Sequence, residues 1–342
     1  MSKSRSTTNK QVIALLKEND YANAAKLLIQ TQICEWDKLE KGYKNLSSVK
    51  TKTFQFDGFK IKIQLNRKRI YSTSAKVDVN SIKNRRCFLC EKNLPEEQKG
   101  IKLLKNYLLL CNPYPVFPEH FTIVTEDHKP QEILYSFSDF IELAKLLSHH
   151  YMLIYNGPQC GASAPDHLHY QAGTKYFMPI ENDFHSIKRK FGDTVFKRDE
   201  LKITALDDGL RRIISVESTD DKILIKAFNS IYNELDKTNG EPMINLICNF
   251  DLEYGWLLII FLRSKHRPSH YFLEGENRII FSPAAIDLGG VCILPVENDF
   301  YKIDKELLKS IFNEVTVGAN DFEILKVNLK EIFTNNFQQT KR

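Results

Sequence analysis

Between about Lys10 and Asn45 apolar residues recur at helical spacing, with Val12, Leu15 and Leu16 followed by Ala22, Ala25, Leu27 and Leu28. That pattern predicts an N-terminal helical cap. The period then switches to two: Phe59, Ile61, Ile63 and Leu65 alternate with Lys60, Lys62 and Gln64, and Asp57-Gly58 before them offers the positive-φ turn of a two-residue hairpin. Tyr107–Cys111 and His120–Thr125 read as apolar strands on either side of the turn NPYPVFP. Phe140–His150 has a helical period and Met152–Tyr155 reads as a strand. Further on, strands are expected at Ile244–Phe250, Trp256–Arg263 and Val291–Pro295, and helices at Lys305–Asn313 and Phe322–Phe333. The expected class is therefore α+β with a mainly antiparallel sheet and flanking helices.

Setting CNPYPVFPEHFTIVTEDHKP beside CNFDLEYGWLLIIFLRSKHRP gives a weak internal echo, in which Asn112 is aligned with Asn249 and His128 with His266. Alternating strands also resemble one another by chance, so duplication into two facing halves and coincidence both stand at this point.

With 342 residues, 42% of them hydrophobic, the chain has material for two modest domains or one two-lobed one. The segment MSKSRSTTNK is charged and no apolar h-region follows it, and the longest strongly apolar run, Trp256 to Leu262, is too short to span a bilayer. A cytoplasmic protein that does not engage a membrane is expected. Seven cysteines scattered through such a chain fit reduced thiols or a metal site better than a disulfide framework. The net charge of +5 is mild, and without a long basic tract or an aromatic–basic repeat it argues against a nucleic-acid groove. Small phosphate-bearing ligands are the more economical expectation.

The stretch richest in chemistry is YNGPQCGASAPDHLHYQ, residues 155–171. Its tail, His167-x-His169-x-Gln171, would put three polar side chains on one face of a strand, because strand side chains alternate. A neutral imidazole attacks phosphorus to form a covalent nucleotidyl intermediate, which divides one hard displacement into two in-line steps. In this reading His169 is the nucleophile. The Gln171 amide would donate to a phosphoryl oxygen, as would the backbone and hydroxyl of the Gly161-Ala162-Ser163 turn. Glutamine in the third position cannot protonate a leaving group, which favours transfer to phosphorylated acceptors over hydrolysis. The bland alternative is two histidines on the wet side of an edge strand.

The segment NGPQCGASAPDHLHYQA resembles the active-site segment of the histidine-triad-like nucleotidyl transferases and phosphorylases. These include the galactose-1-phosphate uridylyltransferases, the dinucleoside tetraphosphate phosphorylases and, as the nearest likeness, the GDP-hexose phosphorylases of the GDP-L-galactose type. A second segment, SPAAIDLGG at residues 282–290, is similar to the Pro-Ala/Val-x-Glu-x-x-Gly segment of the last group. The resemblance implies two histidine-triad-like halves behind the helical cap, divided as residues 1–46, 47–195 and 196–342. It implies His169 as nucleophile, Gln171 as phosphoryl donor, and Asn156, Gly161 and Ser163 as phosphate-side contacts. The spacing from Ser163 to His167 is one residue longer than in the uridylyltransferases. Arg67 and Arg69 in LNRKRI, and Lys265 and Arg267 in KHRP, are further candidates to hold phosphate or sugar phosphate. Charged loop ends would look the same.

Cys87 and Cys90 form a CxxC pair whose thiolates reach one tetrahedral ion, and the uridylyltransferase resemblance adds His128 and His167 as the other ligands of a structural zinc. His120 is an alternative to His128, and a redox pair or two plain thiols would give the same CxxC. The functional expectation is a nucleotide-sugar phosphorylase, GDP-hexose favoured, that releases hexose 1-phosphate from a nucleotidyl-His169 intermediate. The alternatives are a hexose-1-phosphate uridylyltransferase or dinucleoside polyphosphate phosphorylase, and a zinc-stabilised nucleotide-binding protein without turnover. The partners expected are nucleotide sugars with phosphate or a sugar phosphate, and the resemblance alone suggests a homodimer.

Overall fold

The computed structural model describes residues 5–74, 77–237 and 240–338. The expected N-terminal helix is three: α1 (Lys10–Lys17), α2 (Tyr21–Glu35) and α3 (Asp37–Ser47). The apolar period runs on through the breaks, which is why it reads as one helix. Local chemistry divides it: Asn19 takes φ +60°, Asp20 caps α2 by accepting from Asn23 N–H, and Trp36 is extended between α2 and α3.

Two sheets follow. β1 (Lys50–Gln55) and β2 (Lys60–Leu65) form the expected hairpin, with Gly58 at φ +89° in its loop, and β13 (Val291–Leu294) adds to β2 in parallel. The other ten strands form one sheet. In chain order they are β3 (Gly100–Leu103), β4 (Tyr107–Cys111), β5 (His120–Thr125), β6 (Tyr151–Asn156), β7 (His169–Thr174), β8 (Gly192–Arg198), β9 (Leu201–Asp207), β10 (Arg212–Ser218), β11 (Ile244–Asp251) and β12 (Gly255–Leu262). The chain is α+β, and every pairing in the large sheet is antiparallel.

The spatial order β3-β4-β5-β7-β6-β11-β12-β10-β9-β8 is a repeat read outward from the middle. Each half runs three strands, a helix (Phe137–Leu146 or Asp221–Glu234) and two strands, and the halves meet antiparallel where Asn156 faces Asn245. The repeat is real but its register differs from the sequence echo. Topology matches β6 with β11 and β7 with β12, whereas the echo matched β4 and β5 with β11 and β12. Alternating apolar strands carry little positional information, so the wrong pair aligned.

One sheet face packs on helices in a core that includes Leu28, Phe121, Phe137, Tyr170, Phe228, Leu258 and Leu329. The opposite face packs on the small sheet through Ile61, Ile154, Met178, Phe261, Phe281 and Phe312. Among the described residues no helix is long and apolar enough to cross a membrane.

Candidate active site

β7 lies inside the sheet between β5 and β6, and Tyr170 and Ala172 enter the helix-side core. Strand alternation therefore turns His169 and Gln171 to the opposite face, where both line a cavity of about 500 Å³. His167 does not share that face. The strand begins at His169, and the turn before it bonds His167 N–H to Ala164 O and sends the imidazole to the CxxC segment.

His169 is held at three points. Its N–H donates to Gln131 Oε1 (2.8 Å), its carbonyl accepts from Gln131 Nε2 (3.0 Å), and its Nδ1–H donates to His167 O (2.8 Å). The tautomer is thereby fixed, with the Nε2 lone pair free. Burial pushes its pKa down to about 4 despite the bond to His167 O, so the ring is neutral at pH 7. Gln131 also donates to Asn156 O (2.9 Å), so a residue that no sequence pattern flagged ties the end of β6 to the start of β7.

His120 is not with the thiols, where the sequence had offered it as a ligand. Val116 N–H donates to its Nδ1 (3.2 Å), so the proton is on Nε2, which donates to Gln171 Oε1 (2.9 Å). Burial and then the Arg69 charge hold this histidine neutral, with a pKa of about 3. Since the Gln171 oxygen is taken as an acceptor, its NH₂ group is the end left for the cavity.

Asn156, Gly161 and Ser163 all line the cavity. Asn156 Oδ1 accepts from Ala285 N–H (3.0 Å) and Asn245 Nδ2 (2.7 Å), which leaves its own NH₂ as a donor. Gly161 sits at φ +96° with the place of a Cβ only 2.6 Å from Ala284 Cβ, so the glycine turn and the 282–290 segment interlock. Ser282, Ala284 and Asp287 of that segment line the cavity too. Asp287 accepts from Ala284 and Ile293 N–H, and burial raises its pKa to about 6.

The four cationic candidates separate. Arg69 lines the cavity, donates Nη1 to Tyr114 O (3.1 Å), and has a buried Nε without a hydrogen-bond partner. Arg267 lines it as well, with its guanidinium 4.3 Å over the Tyr271 ring. Arg67 and Lys265 are not among the lining residues. Arg67 is exposed and pairs with Glu297, and Lys265 pairs with Glu314 (3.1 Å). In their place the structure brings in His266, which lines the cavity, and Arg263, which holds the 265–266 backbone through bonds to both carbonyls. Arg263 belonged to no motif, whereas His266 sits inside the KHRP cluster that the sequence offered for phosphate.

Cys87, Cys90, His128 and His167 offer four ligand atoms that lie within 4.8 Å of one another. Nδ1 of His167 is 3.3 Å from Cys87 Sγ and 3.7 Å from Cys90 Sγ, and Nδ1 of His128 is 3.2 Å from Cys90 Sγ. Ligands about 2.0–2.3 Å from a tetrahedral zinc are separated by about these distances. The outer nitrogens are supported: His167 Nε2 donates to Thr125 O (2.8 Å) and His128 Nε2 lies 3.6 Å from Asp166. Burial raises the Cys87 pKa, but the His167 contact and backbone N–H groups outweigh it and hold the thiol near 6. The donor set fits a metal ion.

Residues 28–174 match the family described as a domain of unknown function, DUF4922. Over 82 residues the chain is 37% identical to a galactose-1-phosphate uridylyltransferase of Staphylococcus saprophyticus, a match that covers 23% of this chain and 16% of that protein. Over 174 residues it is 26% identical to Protein APA1 of Saccharomyces cerevisiae, covering 46% of this chain and 54% of that one. The chain therefore matches about half, or less, of the length of these relatives. Among solved structures, yeast Ap4A phosphorylase Apa2 superposes with a TM-score of 0.57 at 16% identity, over 84% of this chain and 97% of that one. The same yeast protein has been solved with AMP and with Ap4A.

Proposed function

We propose that the chain is a nucleotidyltransferase acting by phosphorolysis through His169, a reading supported by its similarity to a galactose-1-phosphate uridylyltransferase and to Protein APA1 and by a fold like that of Ap4A phosphorylase Apa2. The observation that carries this reading is the fixed tautomer of His169, a neutral ring with Nε2 free at the cavity.

In the proposed reaction Nε2 attacks the α-phosphorus of a bound nucleotide, the N–P bond forms, and the bridging P–O bond breaks. The departing group is a nucleoside polyphosphate, which leaves as an anion and needs no proton from Gln171. The Gln171 amide and the Gly161–Ser163 turn donate to the non-bridging oxygens. Arg69, with its unpartnered Nε, and Arg267 take the charge of the phosphates beyond. Inorganic phosphate then attacks the nucleotidyl-histidine from the vacated side, giving a nucleoside diphosphate and the free imidazole.

A dinucleoside polyphosphate is the preferred substrate, in place of the GDP-hexose that the sequence favoured. The fold likeness to Ap4A phosphorylase over most of both chains supports that order. The Cys₂His₂ group is read as a structural zinc site. It would pin His167, and with it the carbonyl that orients His169.

The test is incubation with diadenosine tetraphosphate, with and without phosphate, beside GDP- and UDP-hexoses with phosphate. Phosphate-dependent release of ADP and ATP is the expected result, with an acid-labile adenylyl group on His169 when phosphate is withheld. A His169→Ala chain of normal activity would overturn the mechanism. Turnover of a nucleotide hexose alone would restore the sugar reading.

A further inference from the structure

The cavity that holds His169 shares a wall with a second cleft. Lys38, Pro113 and Tyr114 line both, and the second cleft, of about 380 Å³, lies between α3 and the turn after β4. Backbone packing sets its shape: a Cβ on Gly42 would stand 2.4 Å from Pro113 O, so a side chain there would push the helix off the turn.

Its charge is unbalanced. Lys38 and Lys41 enter from α3 and Lys68 from the segment after β2, against one lining carboxylate, Asp37. Asp37 lies 3.9 Å from Lys41, while Lys68 has no ion pair among the described residues. Lys38 Nζ stands 5.1 Å from the centroid of the Tyr114 ring. The Tyr114 carbonyl accepts from Arg69, so the cation at the inner cavity also fixes the residue at the junction.

A ligand running from His169 past Arg69 into this cleft is long, anionic along its middle and flat at its far end. A hexose fits that description poorly, being neutral and unable to use three ammonium groups. We infer that the α3 cleft is the distal subsite for a polyphosphate-bridged dinucleotide, with its lysines on the outer phosphates and Tyr114 against the second base. This rests on the phosphorolysis reading for the direction of the ligand, and it deepens that reading by assigning the departing half a place.

The experiment needs no turnover. On a His169→Ala background, binding of diadenosine tetraphosphate and of AMP is measured by calorimetry with the cleft intact and with Lys41→Glu/Lys68→Glu. Both lysines are exposed, and a Lys41→Ala/Lys68→Ala pair guards against any misfolding from reversed charge. The tetraphosphate should bind about tenfold or more weakly to the double variant at low salt, less so at high salt, with AMP unchanged. Equal loss for both ligands, no loss for either, or no binding of the tetraphosphate by the intact cleft would each overturn the assignment. Failure of the phosphorolysis reading appears elsewhere, as the absence of an adenylyl-histidine in the wild-type chain.

Discussion

His120 Nε2 donates to Gln171 Oε1 across 2.9 Å, and that single bond decides which end of the glutamine amide a ligand meets. The direction is dictated one step back, where Val116 N–H occupies Nδ1. A glutamine free to turn would present its oxygen to phosphate half of the time, and two acceptors repel.

Gln171→Ala should slow transfer about 10²-fold, the loss expected for one preorganised donor to developing charge. His120→Phe, which keeps the ring volume, should cost about tenfold in kcat, and the double variant should fall no further than Gln171→Ala alone. Single-turnover rates for the three variants check this. Independent losses that multiply would show that His120 does not act through Gln171.

The Cys₂His₂ group leads to a metal prediction. Purified protein should carry about one zinc per chain, and Cys90→Ser or chelation should lower Tm by on the order of 5 °C. Metal analysis beside a thermal scan reads both. Protein without zinc whose Tm ignores chelator would remove the metal from the account.

Glu241 gives a pH dependence. Burial raises its pKa to about 7 although Tyr155 OH (2.7 Å) and Ile133 N–H (2.8 Å) both donate to it. The folded chain therefore holds this proton more tightly than the unfolded chain, whose carboxyl titrates near 4.5. Its contribution to stability is complete below about pH 4.5 and is lost as the pH rises through about 7, an effect of about 3 kcal/mol. Urea denaturation at pH 5 and pH 8 should give a steeper fall for the wild type than for Glu241→Gln, and parallel curves would refute the assignment.

Gly161→Ala tests the interlock between the two halves of the site. The substitution puts an L side chain at φ +96° and its methyl 2.6 Å from Ala284. A loss of roughly 1–3 kcal/mol in stability is expected, together with weaker nucleotide binding. Both are read by denaturation and calorimetry on the same variant.

By itself the sequence determined the elements with strong periods: the hairpin turning at Gly58, β4 and β5 to the residue, and the strands β11 and β12 to within one. It also singled out His169, Gln171 and the glycine turn, because a reactive side chain must sit at a set spacing on one strand. It brought together Cys87 and Cys90, which are local. Only the tertiary structure decided what crosses the chain. Pairing of β5 with β7 brings His120 to Gln171, the meeting of the halves brings Asn245 to Asn156, and packing of the 282–290 segment against the loop of residues 157–168 closes the cavity. The same distinction separated Arg69 from Arg67 and Arg267 from Lys265. Two residues on, a turn of backbone sends one cation into the cavity and its neighbour to a surface carboxylate, and no one-dimensional pattern records which way a loop turns.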